Sequence, residues 1–131
     1  MFCSVAAGDT MSHVVGESET TFAFLDRSPV FRGHVLVVPR RHLVTIADLE
    51  ADEVGPFFIE VQKMARRVQV ALNADGTFVA MNNTVSQSVA HLHVHVIPRR
   101  RGDGLRGFFW PRQKYVDDEM ATYAACIRAV T

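Results

Sequence analysis

His91-Leu92-His93-Val94-His95-Val96-Ile97 is the stretch on which the fold turns. It alternates an imidazole with a branched apolar side chain and runs up to Pro98, whose lack of an amide hydrogen predicts the end of a strand. Successive side chains of a strand point to opposite faces, so His91, His93 and His95 share one face and Leu92, Val94 and Val96 the other. The apolar face calls for burial against a second layer. The histidine face is suited to nucleophilic attack, to holding anionic oxygen or to binding a metal, because each ring is a neutral acceptor or a charged donor near neutral pH. The bland alternative is a polar face turned to solvent.

Immediately upstream, Asn82, Asn83, Ser86, Gln87 and Ser88 offer neutral donors and acceptors of the kind that hold phosphoryl oxygens. Zinc held by three imidazoles with an open fourth position is the rival. Catalytic zinc is commonly backed by carboxylates, and none lies between Gly76 and Arg101. Further upstream, Thr77 to Met81 predicts a strand after the turn Asn73-Ala74-Asp75-Gly76. Before it, Val54, Phe57, Val61, Met64, Val68 and Leu72 recur at three- and four-residue spacing, which predicts one long helix capped by Asp48 or Asp52. Two more strands are expected at His34 to Val38, closed by Pro39, and at Thr20 to Asp26, stopped by Arg27-Ser28-Pro29. Downstream of the histidines, Arg99-Arg100-Arg101 reads as a solvated charge run, Phe108-Phe109-Trp110 as packing, and Val116 to Val130 as a short final helix. Strands and one main helix without regular alternation predict an α+β fold with a mostly antiparallel sheet.

The chain has 131 residues and is 48% hydrophobic, enough for one domain over 1–131. Acidic and basic residues balance at 14 each, so no global field favours nucleic acid or an anionic membrane, and any phosphate must be gripped locally. Only two cysteines occur, Cys3 and Cys126, which fits a reducing cytoplasm better than a disulfide-stapled module. No basic leader and no apolar span of membrane length is read, so a soluble protein is expected.

The ordered blocks Phe22-Ala23-Phe24-Leu25-Asp26-Arg27-Ser28-Pro29, Gly33-His34-Val35-Leu36-Val37-Val38-Pro39-Arg40-Arg41-His42 and Gln87-Ser88-Val89-Ala90, followed by the histidine run, resemble the histidine triad family from about Phe2 to Pro98. The resemblance implies a sheet of about five strands, a long helix and a short C-terminal helix. It also implies a nucleotide substrate, a nucleoside phosphoramidate or a dinucleoside polyphosphate. His93 would attack the α-phosphorus to give a nucleotidyl-histidine, oriented by the carbonyl of His91, while His95 holds phosphoryl oxygens and His34 supports the row. Asp26 would bind ribose hydroxyls, although a turn cap before Ser28-Pro29 is its simpler reading. Asn82 or Asn83, together with Gln87 and Ser88, would lie along the phosphate and leaving group. No cofactor is implied for catalysis; some members carry a structural zinc, for which this chain offers Cys3, His42 and His91, three of four ligands. The family's dimerising members imply a homodimer, with Trp110-Pro111 reaching toward the partner's site. A nucleotide-binding regulatory module without turnover, and a metal-dependent hydrolase, remain as alternatives.

Overall fold

A computed structural model describes residues 13–105 and 111–130. Cys3, Phe108, Phe109 and Trp110, and the roles read for them, lie outside those residues. Five strands form one antiparallel sheet in the order β1-β2-β3-β5-β4: β1 Val14–Glu17, β2 Thr21–Leu25, β3 Val35–Pro39, β4 Gly76–Ala80 and β5 Val94–Arg99. Helix α1, Ala51–Ala71, carries the chain from β3 to β4, and β5 then enters between those two strands. A second helix, α2, spans Glu119–Arg128.

The two faces of β5 divide as the alternation requires. Leu92, Val94 and Val96 are fully buried and join Val35, Val37, Phe57, Val61, Met64 and Val68 in the core between the sheet and α1. His95 pairs with Leu36, which pairs with Phe24, so the histidine face continues across the sheet as the apolar strip Phe22, Phe24, Leu36 and Val38. Burying side chains of this size stabilises by about 1.5–3 kcal/mol each before conformational entropy is set against it.

Four boundaries differ from the sequence expectation. β5 begins at Val94, so His91 and His93 precede it, in a segment fixed by the Leu92 amide donating to the Leu43 carbonyl at 2.6 Å. The strand also continues through Pro98. β3 pairs with β5 only from Val35↔Val96 to Val37↔Val94, so Pro98 has a strand neighbour in β4 alone and its missing amide hydrogen is tolerated. α1 is capped by Glu50, whose side chain takes the Glu53 amide while Glu53 reaches back, rather than by Asp48 or Asp52. Asp48 instead closes the short 3₁₀ turn Ile46–Asp48. β1 is a strand that the sequence pattern does not predict.

Candidate active site

The β2–β3 turn and the start of β5 bring His34, His93, His95 and Asp26 together. Gly33 sets the turn: its φ of +95° is one that side-chain-bearing residues rarely adopt, and a Cβ there would also have to push aside the end of the Leu72 side chain. The next residue, His34, is 2% exposed and held twice by the turn. Its amide donates to the Phe31 carbonyl at 3.0 Å, and its ring Nδ1 accepts the Val30 amide at 3.1 Å.

That second bond assigns a chain of protons. An Nδ1 that accepts leaves the hydrogen of a neutral imidazole on Nε2, so His34 Nε2 donates to His95 Nδ1 at 2.9 Å. His95 then carries its own hydrogen on Nε2. Burial lowers the pKa of both rings: for His34 against the opposing charge of Asp26, and for His95, with His93 and His34 adding to the effect, to about 4. Both are neutral at neutral pH, which is what the assignment needs.

His93 is 3% exposed and its ring centroid lies 5.0 Å from that of His95. Its Nδ1 donates to the His91 carbonyl at 2.8 Å. A carbonyl has no hydrogen to give, so the neutral His93 ring is the Nδ1–H tautomer with its lone pair on Nε2. His91 faces differently from the expected three-ring row. Its Nε2 donates to the Pro39 carbonyl at 2.9 Å and its Nδ1 meets His42 Nδ1 at 3.2 Å. Its contribution to His93 is the main-chain carbonyl, while burial lowers its own pKa.

Asp26 does two things at once. Oδ1 accepts the Ser28 amide at 2.9 Å, the turn-capping role, and Oδ2 lies 3.7 Å from His34 Nε2. The polar loop is more tightly tied than the sequence indicated. Gln87 has both ends of its amide engaged: Nε2 donates to the Val44 carbonyl at 2.5 Å and Oε1 accepts the Thr84 amide at 2.9 Å. Asn82 Nδ2 donates to the Ser86 carbonyl at 3.2 Å, and Asn83 Oδ1 accepts the Ile46 amide at 2.9 Å. Ser88 is exposed. Thr84 and Ser86 hold positive φ angles of 72° and 62°, a costly conformation for non-glycine residues, in a loop that contains no glycine. Val30, whose main chain holds His34, escaped sequence reasoning because an amide donor carries no side-chain signal.

Two groups of residues can be tested for a metal. Ligand atoms of Asp26, His34 and His95 lie within 4.8 Å of one another. A neutral His34 that ligated through Nε2 would carry its hydrogen on Nδ1, against the Val30 amide that donates there, so this trio does not fit. The His42 and His91 Nδ1 atoms fit better, because their 3.2 Å spacing is near the roughly 3.3 Å between ligands of a tetrahedral zinc with 2.0–2.1 Å bonds. His91 Nε2–H on the Pro39 carbonyl is a typical orienting bond for a ligating imidazole.

Comparison with known proteins shows a family and a fold for this chain. The HIT domain matches residues 7–102. Protein hit of Bacillus subtilis is 37% identical over 121 residues, 90% of this chain and 81% of that one. The bis(5'-adenosyl)-triphosphatase of Dictyostelium discoideum is 33% identical over 94 residues, 70% of this chain and 63% of that enzyme. The crystal structure of a zinc-bound histidine triad family protein from Mycobacterium smegmatis superposes with a TM-score of 0.75 at 33% identity, covering 98% of this chain and 96% of that one.

Proposed function

The chain belongs to the HIT domain family, and on that premise we propose that it binds a nucleotide and cleaves it at the α-phosphate through His93. The observation that carries this reading is the 2.8 Å bond from His93 Nδ1 to the His91 carbonyl, which leaves the lone pair on Nε2. In the first step the Nε2–P bond forms and the bond from phosphorus to the leaving group breaks, the electron pair leaving with that group. A polyphosphate departs as an anion; an amine takes a proton from solvent. In the second step water attacks phosphorus and gives a proton to solvent, the Nε2–P pair returns to His93, and a nucleoside monophosphate is released.

His95 has a defined part in this chemistry. As a neutral ring with hydrogen on Nε2, it donates to a phosphoryl oxygen as negative charge gathers there, and His34 keeps it in that tautomer. Asp26 Oδ2 is an acceptor for a ribose hydroxyl, and Ser88 a donor to the leaving group. Gln87 is already bonded to the Val44 carbonyl and the Thr84 amide, Asn82 to the Ser86 carbonyl and Asn83 to the Ile46 amide, so a phosphate would take the remaining N–H hydrogens of these side-chain amides. Nucleoside phosphoramidates and dinucleoside polyphosphates are the substrates proposed, the second in keeping with the Dictyostelium relative's name. The chemistry needs no metal; His42 and His91, with Cys3, would supply a structural zinc if one is bound.

The test is rapid quench with a slow phosphorothioate substrate, followed by peptide mass spectrometry. A nucleotidyl mass on the peptide containing His93, with His93→Ala reducing turnover by at least about 10³-fold, is expected. Undiminished turnover in that variant, or tight monophosphate binding with no turnover across both substrate classes, would overturn the enzymatic reading.

A further inference from the structure

A cleft of about 670 Å³, within the 300–1,000 Å³ range of small-molecule sites, is lined by the turn that holds His34. Pro29, Val30, Phe31 and Arg32 form one wall; Pro98 and Arg100, at the exit of β5, form the other. The wall groups are of two chemistries. Pro29, Phe31 and Pro98 give flat apolar surface against which an aromatic or sugar ring packs. Arg32 and Arg100 give positive charge.

The charge balance of the cleft can be worked out residue by residue. Asp103 also lines it, but its carboxylate is taken by Arg99 in two bonds of 2.7 and 3.0 Å, which hold its pKa far below the usual range. Arg100 is fixed by bonds of 2.6 Å to the Leu72 and Asn73 carbonyls just past α1. Those partners carry no formal charge and occupy two of its five donors, so its cation is oriented rather than cancelled. Arg32 is exposed and makes no ion pair with a described residue. Two arginines thus line a cleft whose one lining carboxylate, Asp103, is already paired with Arg99.

We propose that this cleft is a second ligand site, taking a phosphorylated small molecule, and that its occupancy is communicated to His95 through Val30 and His34. Val30 belongs to both places: its side of the turn lines the cleft while its amide donates to His34 Nδ1. A ligand held by Arg32 that draws the turn toward Arg100 moves the donor that fixes the His34 tautomer, and with it the hydrogen that His95 presents. The phosphoryl group is the recognised element, and it can arrive on a nucleotide or as a free polyphosphate.

Titration of the ¹⁵N-labelled protein with adenosine 5'-monophosphate and, separately, with inorganic pyrophosphate tests this by NMR. The amides of Val30, Arg32 and Gly33 and the ring nitrogens of His95 are expected to shift together. With pyrophosphate alone active, the anion suffices; with only the nucleotide active, the ring on Phe31 is also needed. Arg32→Glu, an exposed change outside the histidine site, should weaken the response at Val30 to Gly33 by on the order of tenfold and leave the Ser88 response to the nucleotide in place. Shifts confined to the Ser88 and His93 region, or a turn response unaltered in Arg32→Glu, would overturn the proposal. Because the readout is binding, a missing Ser88 response counts against the nucleotide reading and a missing Val30 response against the cleft.

Discussion

At the scale of single residues, the site is decided by where a few hydrogens sit. The Val30 amide places one on His34 Nε2, His34 places one on His95 Nε2, and the His91 carbonyl draws the one on His93 to Nδ1. His93, His95 and Asp26 were legible in the sequence because their side chains are unusual in kind and spacing. Val30 was not, because it acts through its amide, and the bonds that tie both ends of the Gln87 amide were not, because loop hydrogen bonds leave no pattern in the sequence. The lowered His95 pKa carries a stability prediction. The folded state disfavours the charged ring, so an unfolded histidine near 6.5 binds protons that the folded one, near 4, refuses. The stability that His95 contributes is therefore full above about pH 6.5 and is lost as pH falls toward 4, and His95→Asn should make that slope shallower in urea unfolding followed by circular dichroism. An identical slope in the variant would place the acid sensitivity elsewhere. In kinetics, His95→Asn should lower kcat by about 10²- to 10⁴-fold, since a preorganised donor to the phosphoryl oxygen is removed.

Among the elements, the central position of β5 is what makes the histidines precise. It is laddered on both sides at His95, to Leu36 and to Ala80, while His93 lies just past the ladder, at the mouth of the sheet. The alternation of the run was enough to assign the apolar face and to put His93 and His95 opposite it, because burial against α1 depends on period, but it failed for His91, whose ring turns to the Pro39 carbonyl and His42. β1 escaped because Val14-Val15-Gly16-Glu17 is short, interrupted by glycine and irregular in register between Val14 and Gly16. The helix cap was misassigned because Glu50 is a less typical cap than the nearby aspartates; the reciprocal Glu53 bond makes up the difference. The β2–β3 turn offers the sharpest test at this scale. Gly33→Ala introduces both an unfavourable φ and a clash with Leu72, and should destabilise by about 2 kcal/mol or more in chemical denaturation. Activity should fall in the residual folded protein too, since His34 follows directly; an alanine variant of native stability would mean that the turn rearranges freely.

For the molecule as a whole, the α+β class and mostly antiparallel sheet follow from the sequence pattern, the fifth strand came only with the family resemblance, and no helix among the described residues is long and apolar enough to cross a membrane. Assembly is the part that pattern alone left to resemblance. On α2, Met120, Tyr123 and Ile127 are 63%, 56% and 72% exposed at spacings that put them on one helical face. A homodimer is the proposed state, and light scattering should give about twice the 14.6 kDa chain mass. Ile127→Glu should shift that mass toward one chain if the α2 face takes part; a wild-type protein at 14.6 kDa would remove the dimer. What the assembled fold has to deliver, whatever its stoichiometry, is an unprotonated Nε2 on His93 beside a protonated Nε2 on His95. Long-range ¹H–¹⁵N correlation of the imidazoles at neutral pH reads this directly. The expected spectrum shows His93 as the Nδ1–H tautomer and His34 and His95 as Nε2–H tautomers; an Nε2–H signal on His93 would contradict its assignment as the nucleophile.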